Sequence, residues 1–515
     1  MTVQLIRSLQ NPVLYPHPVD SFKLIETHIS WVLLTGSYAY KIKKPLNLGF
    51  LDFSSLAKRE YYCQEELRLN SRLAPEIYLE VIAISGNKEQ PELNGLGKVF
   101  EYAVKMRQFS PENTFDNLLL NGFLSSVYIK QTAMIIADFH GQVPSASANT
   151  LFGDSASILV PVQENFSQIK QLGDLVQSSI LESLNTWCAQ QHAELMPIFT
   201  QRKQKGFIRE CHGDLHLGNL TLIDNRVVPF DGIEFNPTLY WIDVVSEVAF
   251  LVMDLQSKQR HDLAYQFLNV YLQKTGDYSG LKLLRFYLVY RAMVRAKVEA
   301  IRAHQDASEE EQKQALSRYH NYLRLAQRYT QPTLQLLVIM QGVSGSGKSW
   351  LAEQIINHYQ IINLRSDVER KRVQVCAEKA NEQYSAENRN IIYQHLLGLA
   401  KDILLENYSV LIDATFLEQQ QRALFLQLSR QCGVPFIIIH TEADQATLLE
   451  RIQSRSKQTD NVSDATPAVL ENQQNSQQAL SDDELKYSIS VDTASSDDLE
   501  SLWGFINSVW KKRVK

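Results

Sequence analysis

The sequence predicts two domains of mixed α and β structure (α/β and α+β), the second of them built on a parallel sheet. The chain has 515 residues, which is more than a single hydrophobic core usually covers. Apolar runs at 334–340, 361–365, 409–412 and 435–440 alternate with helical patterns, which favours parallel strands covered by helices on both faces. A polar helical stretch ends at Pro332, just before the first of those runs. We therefore expect one domain at 1–330 and a second at 331–515.

Composition narrows the classes of protein to consider. The net charge is −6, and residues 331–515 carry 18 Lys and Arg against 23 Asp and Glu, so neither half attracts nucleic acid or an anionic membrane strongly. The five cysteines are scattered without a C-x-x-C pair, which is typical of a reducing compartment. No apolar run approaches the roughly 18 residues of a membrane span. We expect a cytoplasmic protein without a membrane partner, and the oligomeric state stays open.

The first half divides into a strand-rich part and a helical part. Strand patterns occur at Trp31–Thr35, Tyr38–Ile42, Tyr78–Ile84 and Lys98–Met106, with a helix at about 55–73 between them. Residues 115–330 are mostly helical, interrupted by strand-like stretches around 207–231. In the second half, residues 456–500 are rich in Ser, Gln, Asn and Asp, and we expect them to be a mobile segment outside the core.

A complete phosphate-binding motif, G-x-x-x-x-G-K-[ST], lies at residues 342–349. It directly follows an apolar run, as such a loop requires. The backbone of the loop is expected to surround the phosphates of ATP, while Lys348 reaches the β and γ oxygens and the Ser349 hydroxyl binds Mg²⁺. The loop residues concerned are Gly342, Ser344, Gly345, Ser346 and Gly347.

A second motif, His-Gly-Asp-Leu-His-Leu-Gly-Asn at 212–219, has the spacing of a phosphoryl-transfer loop. Asp214 can accept a proton from a hydroxyl, and Asn219 and Asp231 can hold Mg²⁺ against the phosphates. A hairpin that turns at Asp224-Asn225 would return Asp231 to the side of Asn219. His212 and His216 are expected to bond the backbone near this loop rather than to take part in the chemistry.

The motif H-G-D-x-H-x-x-N with a following aspartate resembles the aminoglycoside phosphotransferase and choline-kinase-like group over about residues 25–300. The resemblance implies a bilobal protein-kinase-like fold in which a strand lysine pairs with a helix glutamate and grips the phosphates. Lys41, in Ala-Tyr-Lys, and Glu66 fit these roles; Lys43 lies on the same strand face, and Glu65 is the alternative glutamate. The resemblance also implies that Asp243 braces the catalytic loop.

Acidic and basic residues follow the predicted strands of the second half. Asp367, at the end of the second strand, can accept the proton of an acceptor hydroxyl, and Arg370 can hold an acceptor anion. Asp413 ends an apolar strand and would bind Mg²⁺. Arg451 and Arg455 lie four residues apart on one helix and could close over the triphosphate. These residues resemble the polynucleotide-kinase and zeta-toxin-like branch of P-loop kinases over about residues 334–456.

The order of the two halves resembles a bacterial family described as bifunctional, with an aminoglycoside phosphotransferase-like domain followed by a P-loop ATP-binding domain. The resemblance implies an ATP- and Mg²⁺-dependent phosphotransferase with two nucleotide sites and small polar hydroxyl acceptors. Two alternatives remain open. One domain could be catalytic and the other regulatory, or the second half could phosphorylate polynucleotide 5′-hydroxyls, although its net negative charge does not favour nucleic acid.

Overall fold

The computed structural model describes residues 2–49, 51–173, 178–305, 308–375, 386–456, 466–495 and 498–511. Contacts group the chain into two compact units: unit one is Met1–Ser257 with Phe286–Ala326, and unit two is Lys258–Arg285 with Gln327–Lys515. The predicted boundary near residue 331 stays a prediction, but the grouping places residues 258–285 with the second half. Among the described residues, no helix combines the length and hydrophobicity that crossing a membrane requires.

Unit one begins with a six-stranded antiparallel sheet in the order β1-β2-β3-β6-β4-β5. Its strands are β1 (Lys23–Glu26), β2 (Ser30–Leu34), β3 (Tyr38–Lys43), β4 (Tyr78–Gly86), β5 (Pro91–Leu93) and β6 (Val99–Arg107). Helix α1 (Thr2–Ser8) precedes the sheet, and helix α2 (Leu56–Asn70) lies against β4 and β6. The strands β2, β3, β4 and β6 and the helix α2 were predicted from the sequence, and these predictions are confirmed.

Strand β3 places its lysines and its apolar residues on opposite faces because strand side chains alternate. Tyr40 and Ile42 are buried in a core cluster that includes Leu5 of α1. Lys41 and Lys43 therefore point to the other face, where both contact Glu66 of α2. The alternation explains how two lysines of a short strand reach one carboxylate.

The rest of unit one is mainly helical. Its helices are α3 (Phe115–Leu120), α4 (Ser126–Gln142), α5 (Ser155–Gln171), α6 (Ser178–Gln204), α7 (Pro237–Tyr240) and α8 (Val244–Ser257). Two short antiparallel pairs lie among them: β7 (Ile208–Glu210) with β10 (Trp241–Asp243), and β8 (Leu220–Ile223) with β9 (Arg226–Pro229). The β8–β9 hairpin turns at Asp224 and Asn225, both with positive φ, as predicted for a two-residue turn of this type.

Three helices follow α8 along the chain: α9 (His261–Thr275), α10 (Leu281–Ala303) and α11 (Glu309–Thr330). Helix α9 belongs to unit two, whereas the residues of α10 and α11 are divided between the units.

Unit two is built on a five-stranded sheet in the order β12-β13-β11-β14-β15, with every neighbouring pair parallel. The strands are β11 (Leu337–Gln341), β12 (Ile361–Arg365), β13 (Ser409–Asp413), β14 (Phe436–Glu442) and β15 (Ser488–Asp492). The helices are α12 (Lys348–His358), α13 (Ser366–Val375), α14 (Ala386–Leu405), α15 (Gln419–Cys432), α16 (Gln445–Ser456), α17 (Pro467–Ser476), α18 (Asp482–Leu485) and α19 (Asp498–Lys511). The predicted fold class, a kinase-like first half followed by a P-loop α/β sheet, is confirmed.

The expectation that residues 456–500 lie outside the core is wrong for much of that segment. Strand β15 pairs with β14 along its whole length, and Val491 is buried. In α17, Leu470 is buried within an apolar cluster that includes Val343 and Ile452. The polar composition is that of an edge strand and a surface helix, each of which buries only one face. Residues 457–465, 496 and 497 lie outside the described residues.

Candidate active sites

The catalytic loop of unit one brings together the three residues that the sequence predicted for it. The side-chain amide of Asn219 donates to the Asp214 carboxylate at 3.1 Å and to the Asp214 carbonyl at 3.0 Å. The Phe230 N–H donates to the Asn219 carbonyl at 2.9 Å across the β8–β9 hairpin. This bond brings the chain back beside Asn219. Asp231 follows with φ of 60°, and its N–H donates to the Tyr78 hydroxyl at 3.0 Å.

Asp214 is held in its ionised form. Burial alone would raise the pKa of this carboxyl, but the attraction of His216, whose Nε2 lies 3.5 Å away, and of Arg295 lowers it well below its usual range. The same pairing raises the pKa of His216, against the opposing effect of burial. The Asp214 side chain remains 34% exposed. It is therefore an ionised carboxylate that a substrate hydroxyl can approach.

The two histidines of the loop bond the backbone, as expected from the sequence. Nε2 of His212 lies 2.9 Å from the Phe230 carbonyl oxygen, and Nδ1 of His216 accepts from the Gly218 N–H at 3.0 Å. His216 also contacts Asp214, so it has an electrostatic effect beyond its backbone bond.

The predicted lysine–glutamate pair of unit one is formed, and it has an additional member. Lys41 Nζ lies 2.7 Å from Glu66 and 2.7 Å from Asp231. Lys43 Nζ lies 2.6 Å from the other oxygen of Glu66 and contacts Glu234. Although burial opposes ionisation, the two lysines lower the pKa of Glu66 to about 2. Both lysines therefore share this carboxylate, and the choice of Lys41 as the phosphate-binding lysine stays a prediction.

The alternative glutamate, Glu65, lies outside this network. It pairs with Arg68 at 2.8 Å, one turn along α2. Glu66 is therefore the residue of α2 whose carboxylate meets the strand lysines.

The catalytic loop is braced by two acids of α8 that the sequence analysis missed. Glu247 accepts the Gly213 N–H at 2.6 Å, and Asp254 accepts the Leu217 N–H at 2.9 Å. The expectation that Asp243 braces the loop is wrong, since its carboxylate pairs with Arg202 at 2.7 and 2.9 Å. The sequence did contain a signal for this role, because Glu247 and Asp254 are the two acids of a mainly apolar helix, and a buried acid needs a partner.

The phosphate loop of unit two has the backbone that its glycines require. Gly345 and Gly347 have φ of 85° and 87°, and α12 begins at Lys348. A Cβ on Gly347 would lie 2.6 Å from the Thr493 hydroxyl. Lys348 Nζ donates to the carbonyls of Gly342 and Val343 at 3.0 and 2.8 Å.

Side chains from later elements of unit two contact the phosphate loop. The Ser344 N–H donates to the Gln473 side chain of α17 at 2.7 Å, and the Ser346 hydroxyl bonds that of Thr441 at 2.7 Å. The Thr493 hydroxyl, just beyond β15, donates to the Ser346 carbonyl at 3.0 Å. The segment that the sequence suggested to be mobile thus supplies two of the residues that hold the loop.

The two predicted metal sites have donors that suit Mg²⁺, which prefers oxygen ligands. In unit two the Ser349 hydroxyl and the Asp413 carboxylate are 2.7 Å apart. In unit one Asn219 lies beside the chain of Asp231, its Nδ2 3.5 Å from the Asp231 carbonyl. The roles of both pairs as ligands of Mg²⁺ stay predictions.

The acceptor-side residues of unit two lie at the carboxyl ends of β12 and β13. Asp367 and Arg370, both on α13, are 3.6 Å apart and partly exposed. Arg365, the last residue of β12, lies with its Nε 3.7 Å from the Asp413 carboxylate. The role of Asp367 as a base stays a prediction.

Arg451 contacts the rim of the phosphate loop. Its guanidinium donates to the Gly345 carbonyl at 3.3 Å and to the Thr493 hydroxyl at 2.7 Å. It therefore reaches the predicted site, with its bonds directed to the protein backbone and to Thr493. Arg455 lies within α16, and its side chain is outside the described residues.

Comparison with known proteins agrees with this geometry. Residues 337–480, which include the phosphate loop, match the family model described as AAA domain. The resemblance of the second half to a P-loop ATP-binding domain, predicted from the sequence, is confirmed. The chain is also 28% identical over 451 residues to an uncharacterized protein of Mycobacterium tuberculosis and to one of Mycobacterium bovis, covering 85% of this chain and 88% of each relative.

Three solved kinase structures are similar to parts of the chain. A choline kinase of Cryptosporidium parvum is 12% identical with a TM-score of 0.38, covering 63% of this chain and 95% of its own. An ethanolamine kinase of Plasmodium vivax is 10% identical with a TM-score of 0.35, covering 60% and 84%. A sugar kinase of Janibacter is 18% identical with a TM-score of 0.28, covering 34% and 95%.

The predicted class of enzyme, an ATP-dependent kinase, is confirmed with its acceptor open. A P-loop domain matches a family model, and the first half has a lysine–glutamate pair beside an aspartate–asparagine loop.

Proposed function

We propose that the chain is an ATP- and Mg²⁺-dependent phosphotransferase with two nucleotide sites, each transferring a γ-phosphoryl group to the hydroxyl of a small polar acceptor. The proposal rests on one observation above all: each unit holds two of its predicted site residues in hydrogen-bond contact, Asn219 with Asp214 in unit one and Ser349 with Asp413 in unit two.

In unit one, Lys41 is placed to bind the phosphates of ATP, and Glu66 holds its ammonium group. Asp214 accepts the proton of the acceptor hydroxyl. As it does so, the acceptor oxygen bonds to the γ-phosphorus and the bond from that phosphorus to the bridging oxygen breaks, which releases ADP. Mg²⁺, held by Asn219 and Asp231, would neutralise charge on the phosphates.

In unit two, the backbone of the phosphate loop and Lys348 bind the triphosphate. Asp367 takes the acceptor proton, and Arg370, whose guanidinium lies 3.6 Å from the Asp367 carboxylate, holds an anionic part of the acceptor. Mg²⁺, held by Ser349 and Asp413, would supply the same neutralisation there.

The four cysteines whose state is described are all free, which fits the cytoplasm, where thiols stay reduced.

The test is a screen of cell metabolites with γ-labelled ATP, run on the intact chain and on the variants Asp214→Asn and Lys348→Ala. We expect each variant to lose one set of labelled products and to keep the other. If Lys348→Ala abolishes all labelling and Asp214→Asn abolishes none, unit one is regulatory and the two-site proposal fails.

A 5′-hydroxyl oligonucleotide belongs in the same screen. Labelling of the oligonucleotide that falls steeply with salt would assign the acceptor of unit two to nucleic acid instead of a small molecule.

A further inference from the structure

Helix α9 completes the edge of the sheet in unit two. Strand β12 is at that edge, so the backbone groups on its outer side have no neighbouring strand. Asn269 of α9 accepts the Asn363 N–H at 2.7 Å and donates to the Ile361 carbonyl at 2.9 Å. Gln273, one turn later, donates to the Asn363 carbonyl at 3.2 Å. Two side-chain amides thus satisfy three outward-facing backbone groups of the strand.

The end of α9 also contacts α13. The helix ends at Gly276, which has φ of 74°, and a Cβ there would lie 2.6 Å from Nε of Arg372. Arg372 donates to the Gln273 carbonyl at 2.6 Å. Beyond the helix end, the Tyr278 hydroxyl donates to the buried carboxylate of Glu369 at 3.3 Å. Residues 269–278 therefore hold both a strand and the helix that follows it.

That strand and helix carry the acceptor side of the P-loop site. Arg365 ends β12 beside Asp413, and Asp367 and Arg370 lie on the first turns of α13. The phosphate loop itself is held by other elements, through Thr441, Gln473 and Thr493. Helix α9 also packs against α12, the helix that begins at Lys348, where Gln266 bonds Asn357. A change limited to the side-chain amides of Asn269 and Gln273 should therefore displace Arg365 and Asp367 and leave the phosphate loop in place.

We propose that Asn269 and Gln273 are positioning residues of the P-loop site, acting through β12 and α13. The expected effect on turnover rests on the proposed function of unit two. The support of β12 and α13 by Asn269 and Gln273 does not depend on that function. It also means that the P-loop domain requires a helix that precedes residue 331 in the chain.

The experiment uses the full-length chain with Asp214→Asn, so that the remaining ATP turnover belongs to the P-loop site. Two substitutions are introduced into this parent. Asn269→Leu removes both hydrogen bonds from the Asn269 side chain to β12, and the milder Gln273→Met removes the one from Gln273. Lys274→Ala is the control, because Lys274 is exposed on the same helix. ATP turnover without an added acceptor, ATP affinity and amide hydrogen exchange are measured for each variant.

We expect hydrogen exchange over 361–373 to rise about ten-fold in Asn269→Leu and turnover to fall by a similar factor, while ATP affinity stays within about two-fold. Gln273→Met should shift the same quantities less, and Lys274→Ala should shift none. Faster exchange over 409–413 as well in both variants would mean a general loss of stability and would overturn the proposal, as would unchanged exchange over 361–373. If the Asp214→Asn parent neither turns over ATP nor labels any product in the metabolite screen, the proposed function of unit two fails, and exchange and ATP affinity still decide the inference.

Discussion

In unit one, charged side chains hold one another in place, whereas in unit two the backbone forms the phosphate site and neighbouring side chains hold that backbone. Lys41, Lys43, Glu66 and Glu234 form a buried network that reaches Asp231 at the catalytic loop. The phosphate loop instead depends on glycines with positive φ and on contacts from Thr493 and Arg451. The first site should therefore be sensitive to pH and to loss of charge, and the second to added side-chain volume.

The largest effect that separates the sites is expected from Asp214→Asn. The amide cannot accept the acceptor proton, so turnover at the first site should fall by about 10²–10⁴-fold, while turnover at the second is unchanged. Initial rates with labelled ATP measure both. Asp224→Asn is the control, since Asp224 lies exposed in the hairpin turn and an asparagine tolerates its positive φ. Equal loss in the two variants would refute a specific role for Asp214.

The second prediction concerns the charge network of unit one. The folded pKa of Glu66 is about 2, below its ordinary value of 4.5, so its ionised form contributes stability that is complete above pH 4.5 and is lost as pH falls toward 2. Glu66→Gln should therefore lower the free energy of unfolding by about 3 kcal/mol near neutral pH. The difference between the two proteins should shrink as pH falls from 4.5 to 2.

Chemical denaturation over that pH range measures the difference. Glu65→Gln is the matched control, because Glu65 pairs with the half-exposed Arg68 outside the network. A difference between wild type and Glu66→Gln that is independent of pH would show that the network stabilises unit one by packing and not by charge.

The sequence was most informative where the chemistry is contiguous. The phosphate loop occupies eight successive residues, so its motif can be read directly from the sequence. The catalytic loop is joined to Asp231 by a hairpin, and the residues Asp224 and Asn225 are typical of a two-residue hairpin turn. Prediction from the sequence failed where a contact depends on tertiary packing. Glu247 braces the loop that was assigned to Asp243, four residues earlier, because only the fold decides which of two acids faces Gly213.

Strand β15 and the contacts of helix α9 were not predicted, for the same reason. Strand β15 is short, polar and half-exposed, since it lies at a sheet edge, and its composition resembles that of a loop. Helix α9 has an ordinary helical pattern, and nothing in that pattern indicates that Asn269 bonds the backbone of a strand some 90 residues later. Long-range bonds of side-chain amides leave no periodic signal in a sequence.

The third prediction tests the backbone site of unit two by adding one methyl group. Gly347→Ala places a Cβ where the Thr493 side chain already lies and where φ is 87°, so the loop must distort. A strain of about 1–3 kcal/mol corresponds to ATP binding that is about 5- to 150-fold weaker at this site. Calorimetric titration should find about two ATP per chain in wild type and about one in the variant. Gly504→Ala on α19, where a Cβ meets nothing, should bind as wild type does.

The smallest effect is expected from Arg451→Lys, which tests whether the rim of the phosphate loop needs a guanidinium group. Nη1 of Arg451 donates to the Gly345 carbonyl and the Thr493 hydroxyl, while Nη2 donates to the Thr493 carbonyl at 3.2 Å. The single nitrogen of an ammonium group cannot take the place of both guanidinium nitrogens. Losing one such bond should weaken ATP binding at the second site by about three- to ten-fold, with the first site unaffected. Arg430→Lys, on α15, is a matched control. If Arg451→Lys instead lowers turnover without changing ATP affinity, the guanidinium acts on the transferring phosphoryl group, and the second site would share with the first a dependence on charged side chains.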